Sequence, residues 1–481
     1  MIPVPEFSIG GVLPALILSV AGLLAMLLGL FVRKGAAAVG AVIGLVGVLI
    51  ALMANTPLRL MNMPSFNGMI ALDSYTWFFN VLILVSVGLT ILISMKYLVD
   101  QGLDLYEYFA ILLFSAVGMM FMVSGIHLLM IFVGLETLSI AVYVLTGILP
   151  KSAKSSEASL KYLLLGAFSS GLFLYGAALL YGSTGSLALA GLAKYFQSGS
   201  VSTMALVGMG LLLVGFSFKV AAVPFHMWTP DVYDGAPSPI TGFMSVGVKA
   251  AAFAAFLRVF FECFGSAQVT WSQILWVLAV LTMVLGNLAA IVQTNIKRML
   301  AYSSIAHAGY ILVGMVSGTP AGASGVLYYL LAYIFTNLGA FAVVTMVGRQ
   351  GEANVYLDDY RGLGKSHPTL ALAMSIFLFS LAGIPPTAGF IGKFTIFSSA
   401  INAGYIWLVI IGVLTSAASV FYYFRVIMKM YMEAPEVEPE ELRFSPSMTF
   451  ALSLTVLAVL YIGIFPTTYL NLATESVKML F

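Results

Sequence analysis

The chain has 481 residues, 61% of them hydrophobic and 8% charged, with mean hydropathy +1.04 and a formal net charge of +2. Soluble domains carry about 25% charged residues, so a water-soluble globular protein is excluded and a bilayer is implied as the main solvent. The single Cys263 excludes an internal disulfide, and no Cys/His cluster suits zinc, haem or an iron–sulfur centre.

Apolar runs long enough to cross a bilayer recur along the whole chain. Fourteen spans are predicted, at 11–31, 36–54, 76–95, 108–124, 127–149, 159–182, 203–229, 238–262, 271–292, 299–317, 321–348, 369–402, 405–430 and 447–466. The first run lacks a basic lead-in and is expected to stay as a span rather than be cleaved. The connecting segments are short. The longest acidic insert, Glu433 to Pro446, is proline-rich, and no loop is long enough for a nucleotide or redox domain. The expected class is an all-α polytopic membrane protein, with no cofactor in this chain, no metal site and no nucleic-acid partner.

Basic residues set the expected orientation. The loops after odd-numbered spans and their flanks hold thirteen lysines and arginines, among them Lys151, Lys154, Lys297, Arg298, Arg349, Arg361 and Arg443. The even loops and tails hold about four: Arg59, Lys194, Arg258 and Lys478. By the positive-inside rule the odd loops are cytoplasmic and both termini lie outside, on the periplasmic side of a cell inner membrane.

Two spans are interrupted by proline, the seventh at Pro224 and the twelfth at Pro385–Pro386 within GIPPTAGFIGKF. Five spans separate them, which predicts two five-helix repeats, the second inverted because five is odd. The expected organisation is flanking helices in 1–107, a first repeat in 108–262, a second in 271–430, and an acidic loop with the last span in 431–481. Broken helices in inverted repeats place ion sites near the midplane.

Few charges lie inside the spans: Glu136, Lys161, Lys219, Lys249 and Lys393, joined by the titratable His307. A mid-span charge costs about 2.5–3.5 kcal/mol on insertion scales, so four lysines and a glutamate call for a reason. Lys161 lies just inside its span and reads equally as a snorkelling side chain. Lys219 is too deep for that, and Lys249 shares a helix face with Ser245. Lys393 follows the second break, Glu136 is the one acid in a span core, and His307 also suits a hydrogen-bonded core histidine. Burial disfavours the charged form of a lysine, so one acid among several lysines suits proton movement, with Glu136 switching Lys219. Water lined by hydroxyls such as Ser169, Ser170, Ser245 and Thr336 would link the set. No nucleotide-binding motif supplies energy, so a partner must drive it.

Five stretches carry a resemblance: GLETLSIAVYVL, KYLLLGAFSSG, KVAAVPFHMWTPDVYDGAPSPITGFMSVGVKAA, NIKRMLAYSSIAHAGY and LAGIPPTAGFIGKF. Together they resemble the N subunits of the proton-pumping NADH–quinone oxidoreductase, respiratory complex I. The variant WTPDVYDGAP separates these from the sister antiporter-like subunits, whose segment reads closer to HTWLPDAxxAPTP. The resemblance implies proton-translocating roles for Glu136, Lys161, Lys219, Lys249, His307 and Lys393. It also implies partners: other membrane and peripheral subunits, including the sister subunits, which hold NADH, FMN, iron–sulfur clusters and quinone. A subunit of a multisubunit sodium/proton antiporter shares the fold and is the alternative, ahead of a non-pumping membrane scaffold or an organic-solute transporter.

Overall fold

The computed structural model describes residues 9–348, 350–435, 442 and 444–481. Arg349, Arg443 and most of the acidic insert lie outside the described residues. Thirteen helices among them are long and apolar enough to cross a membrane. The twelfth predicted span misses that length because it is broken into Pro368–Ala382 and Ala388–Asn402, and with it the fourteen are complete.

Helix starts follow side chains that accept the backbone N–H groups left free at a first turn. Asp73 caps the third span through Thr76 N (2.7 Å), Ser152 the sixth, Ser202 the seventh and Asn295 the tenth. Thr319 and Ser445 cap the eleventh and fourteenth, each with proline next in line, where its missing N–H costs nothing.

Several boundaries differ from expectation. The third span runs Ser74–Asp100 and the sixth Ala153–Thr184, both longer than the apolar core alone, because polar residues continue a helix into the headgroup zone. The seventh, expected to reach 229, ends at Val220, where Ala221 turns left-handed before Pro224. A short helix, Trp228–Gly235, then leads into the eighth span, Ser238–Cys263, which contains π-helical turns at Met244–Val248 and Val259–Cys263. Three small elements were not expected: a hairpin of Met63–Ser65 and Ile70–Leu72, and helices at Leu189–Gln197 and Thr467–Val477. Their sequences are too short for a periodic signal.

The eighth, tenth (Ile296–Val316) and eleventh (Pro320–Val347) spans form the interior, while the first (Ile9–Gly29) and thirteenth (Ile406–Met432) bury only a third of the residues in their most apolar stretch. Loop contacts sort by parity. On one face, Lys154 pairs with Asp234 (2.8 Å), Arg298 with Asp231 (2.8 Å), Lys297 with Glu352, and Lys429 with Asp358 (2.6 Å), all from odd loops or their flanks. On the other, Arg59 meets Glu475 (3.1 Å) and Arg258 meets Asp73. The alternation expected from the span count therefore holds.

Candidate functional site

Both breaks bring a lysine against freed backbone or a hydroxyl. Lys219 sits in the last turn of the seventh span, buried, and its Nζ donates to Ser139 Oγ of the fifth span (Leu128–Thr146) at 2.7 Å. The ammonium faces the rings of Tyr162 (5.6 Å) and Tyr143 (5.7 Å), an arrangement the ring quadrupole favours. Glu136 lies three residues before Ser139 on the same helix face. No ion pair joins Glu136 to Lys219 among the described residues, and Glu136 Oε1 is buried without a hydrogen-bond partner.

At the second break the last carbonyls of Pro368–Ala382 point at Lys393. Its Nζ donates to Leu381 O (2.8 Å), Ala382 O (3.0 Å) and Ser416 Oγ (2.8 Å), and lies 4.9 Å from the Tyr310 ring centroid. A helix C-terminus is the negative end of the macrodipole, so a cation is stabilised there. Gly383 makes this possible: its φ is +84°, and a Cβ on it would come within 2.9 Å of Lys393 Cδ.

Between the breaks runs a buried polar line. Lys249 Nζ donates to the carbonyl (2.7 Å) and hydroxyl (2.5 Å) of Ser304. The neighbouring Ser303 Oγ lies 2.5 Å from the Tyr423 hydroxyl, which lies 3.0 Å from His307 Nε2. His307 Nδ1 is 2.5 Å from the Tyr329 hydroxyl. Beyond it a small cavity, lined by His307, Tyr329, Tyr333, Thr336, Ser380 and Leu381, offers about 10 Å³ to the centre of a water molecule, near the minimum for one water. Leu381 is also a carbonyl partner of Lys393. Lys249, His307 and Lys393 are thus drawn together.

Lys161 stands apart. Its side chain is 42% exposed and pairs with Glu157 (2.8 Å) and Asp231 (2.8 Å) at the odd-loop face. Burial pushes the Asp231 carboxyl up, but hydrogen bonds from Lys161 and Arg298 outweigh it and hold the group below the usual carboxylate range. Of the hydroxyls expected to line water, Thr336 borders the cavity, Ser245 accepts from Asn337 Nδ2 (2.6 Å), and Ser170 Oγ is buried without a partner.

Sequence reasoning missed Ser139, Tyr329, Tyr423 and Ser416, because a lone Ser or Tyr in an apolar span carries no signal of its own. SSIAHAGY does carry one: Ser303, His307 and Tyr310 recur at helical spacing on one face. Two further buried charges passed as loop residues. Arg258 is bidentate to Asp73 (2.9 and 3.0 Å) and also binds Glu262 (3.1 Å), and Lys297 is fully enclosed with Glu352 and Ala236 O (2.6 Å). No group of three His, Cys, Asp or Glu side chains suited to a metal ion occurs among the described residues.

The profile of the family described as NADH:quinone oxidoreductase/Mrp antiporter, TM, matches residues 125–419, which hold every residue discussed above as a proton-carrying candidate. NADH-quinone oxidoreductase subunit N of Trichlorobacter lovleyi is 50% identical over 474 residues, covering 98% of this chain and 97% of that protein. Subunit N 1 of Solibacter usitatus is 43% identical, covering 96% of each. Among solved structures, a chain of respiratory complex I from Thermus thermophilus with bound aureothin aligns at 35% identity and TM-score 0.80, covering 96% of this chain and 99% of that one. A chain of the Mrp complex from Dietzia shares the fold at 19% identity and TM-score 0.85, covering 98% of each. By identity maintained along nearly its whole length, the chain belongs to the NADH-quinone oxidoreductase subunit N family.

Proposed function

We propose that this chain carries protons across the membrane as a subunit of a NADH–quinone oxidoreductase. On this reading the partner subunits hold NADH, FMN, iron–sulfur clusters and quinone and transfer the electrons. The observation that carries it is the buried polar row in which Lys249 holds Ser304, the adjacent Ser303 meets Tyr423, and Tyr423, His307 and Tyr329 lead to the cavity lined by Leu381, whose carbonyl accepts from Lys393. Hydroxyl and imidazole groups both give and take hydrogen bonds, so protons can pass along them, and a buried lysine exchanges its proton when its surroundings change.

Lys219 begins the path in the first broken span. Glu136, one turn from the serine that holds it, is placed to draw the lysine charge when it moves closer, the two acting as a coupled pair. Lys393 ends the path, with a half-helix C-terminus stabilising its charged form until release. The halves 108–262 and 271–430 then act as inverted units, flanked by 1–107 and 431–481, with the odd loops cytoplasmic and both termini outside.

The test is Lys219→Ala in the intact complex reconstituted into vesicles. Pumping is expected to vanish and quinone reduction to fall, with assembly preserved. Glu136→Ala should impair pumping and Glu136→Asp partly restore it. Wild-type pumping by assembled Lys219→Ala would overturn the proposal, and sodium-dependent transport would move the chain to the antiporter class.

A further inference from the structure

Lys219 lies sixteen residues beyond Thr203, the even-loop end of its helix, a distance of ~24 Å at 1.5 Å per residue. Its shorter way to water therefore runs toward the odd-loop face, past the break. That way is closed by two pairings between the sixth span and the segment after Pro224. The inner one is aromatic: Tyr162 stacks on Trp228, centroids 4.4 Å apart and planes 6° from parallel. The outer one is ionic: Lys161, adjacent to Tyr162, binds Asp231, which follows Trp228 by three residues on one helix face.

Each pairing is anchored. Trp228 Nε1 donates to Phe218 O, next to Lys219, at 3.0 Å, and Tyr143 packs edge-on to Tyr162 at 4.8 Å. Asp231 is held from the second half by Arg298 at 2.8 Å. The Lys219 ammonium faces the Tyr162 ring at 5.6 Å, so one ring separates the lysine from the ion pair. The Tyr162 hydroxyl is buried without a partner, as are those of Ser217, two residues before Lys219, and Thr229, next to Trp228. Buried polar groups in native proteins find protein or water partners, which marks these as groups that meet water when the pairing parts.

Building on the proton-carrying role of Lys219, we propose that Tyr162 and Asp231 are positioning residues that close Lys219 from the odd-loop face: the Tyr162–Trp228 stack is the plug and the Lys161–Asp231 pair is its latch. While the plug is shut, a proton on Lys219 can leave only along the chain's interior. When Asp231 lets go of Lys161, the stack separates and Lys219 exchanges with water on that face.

The experiment measures protons moved per electron, together with the quinone-reduction rate, in vesicles holding the intact complex. In Tyr162→Ala the plug is gone, and the ratio should drop while the rate per assembled complex holds, because protons slip back to the side they came from. Tyr162→Phe keeps the ring and should restore the wild-type ratio. Asp231→Asn, nearly isosteric, should lower the ratio as Tyr162→Ala does, and it serves if the alanine variant fails to assemble. A destabilised complex would lower ratio and rate together. Wild-type ratios in Tyr162→Ala or Asp231→Asn, or a Tyr162→Phe as slipping as the alanine, would overturn the proposal. Lys219→Ala in the same vesicles separates the two readings: if it pumps normally the proton-carrying role itself falls, and if it does not, only the plug is in question.

Discussion

The Tyr423 hydroxyl lies 3.0 Å from His307 Nε2, joining the thirteenth span to the tenth. Because the same hydroxyl lies 2.5 Å from Ser303 Oγ, it ties His307 to the residue next in sequence to Ser304, which holds Lys249.

Tyr423→Phe should break that tie without leaving a cavity. A buried group left without its partner costs about 1–3 kcal/mol, which the extensive packing of the tenth span absorbs, so assembly should persist. Proton pumping by the reconstituted complex should fall about tenfold, and a variant that pumps at the wild-type rate would show that protons bypass Tyr423.

Lys393→Arg should lose pumping despite keeping the charge. Lysine gives all three of its N–H groups to Leu381 O, Ala382 O and Ser416 Oγ, and arginine cannot be deprotonated in a protein. Lys393→Ala should fail too. Vesicle acidification by the arginine variant at near wild-type rate would reduce Lys393 to a structural cation on a helix end.

The sequence displayed the site unevenly, for physical reasons. Lys219, Lys249 and Lys393 were legible because a charge in an apolar run is costly, and the breaks because Pro224 and Pro385–Pro386 cannot continue a helix. The pairing of Lys161 with Asp231 was not legible, since it joins elements seventy residues apart that only the fold brings together. Tyr423 and Tyr329 escaped for the opposite reason: a tyrosine in a membrane helix is ordinary. Arg258 was misplaced because its position near a span end suggested a loop, whereas its two carboxylate partners allow it to be enclosed.

Arg258→Ala should be the most destabilising of these changes. It strands Asp73 and Glu262 beside an apolar helix interior, and breaking a buried pair by removing one partner costs about 3–5 kcal/mol. The amount of chain in assembled complex should drop sharply, and the purified remainder should melt earlier. An unchanged melting temperature would mean the two carboxylates find other partners.

The ion pairs of Asp231 and Asp358 should be insensitive to pH near neutrality. A hydrogen bond from Lys429 holds the Asp358 carboxyl below its ordinary range, and Asp231 is lowered as described. A lowered carboxylate contributes stability above its unfolded value, about 3.9, and loses it only as pH falls through the folded value. The melting difference between wild type and Asp231→Asn should therefore be constant from pH 6 to 8 and shrink only below about pH 4. A difference that changes between pH 6 and 8 would contradict the assignment.

Cysteines placed near Lys151 and Arg361 should be labelled by an impermeant reagent only from the cytoplasmic side. Cys263 is buried and contributes no background. Labelling of either from outside intact cells would invert the orientation.

Gly383 has a consequence for genetics. Any side chain there needs a left-handed backbone and runs into the lysine tail, so a missense change at Gly383 acts as a change at Lys393 by proxy. Alleles at the two positions should fall into one phenotypic class, and a suppressor of the first is to be sought around the second.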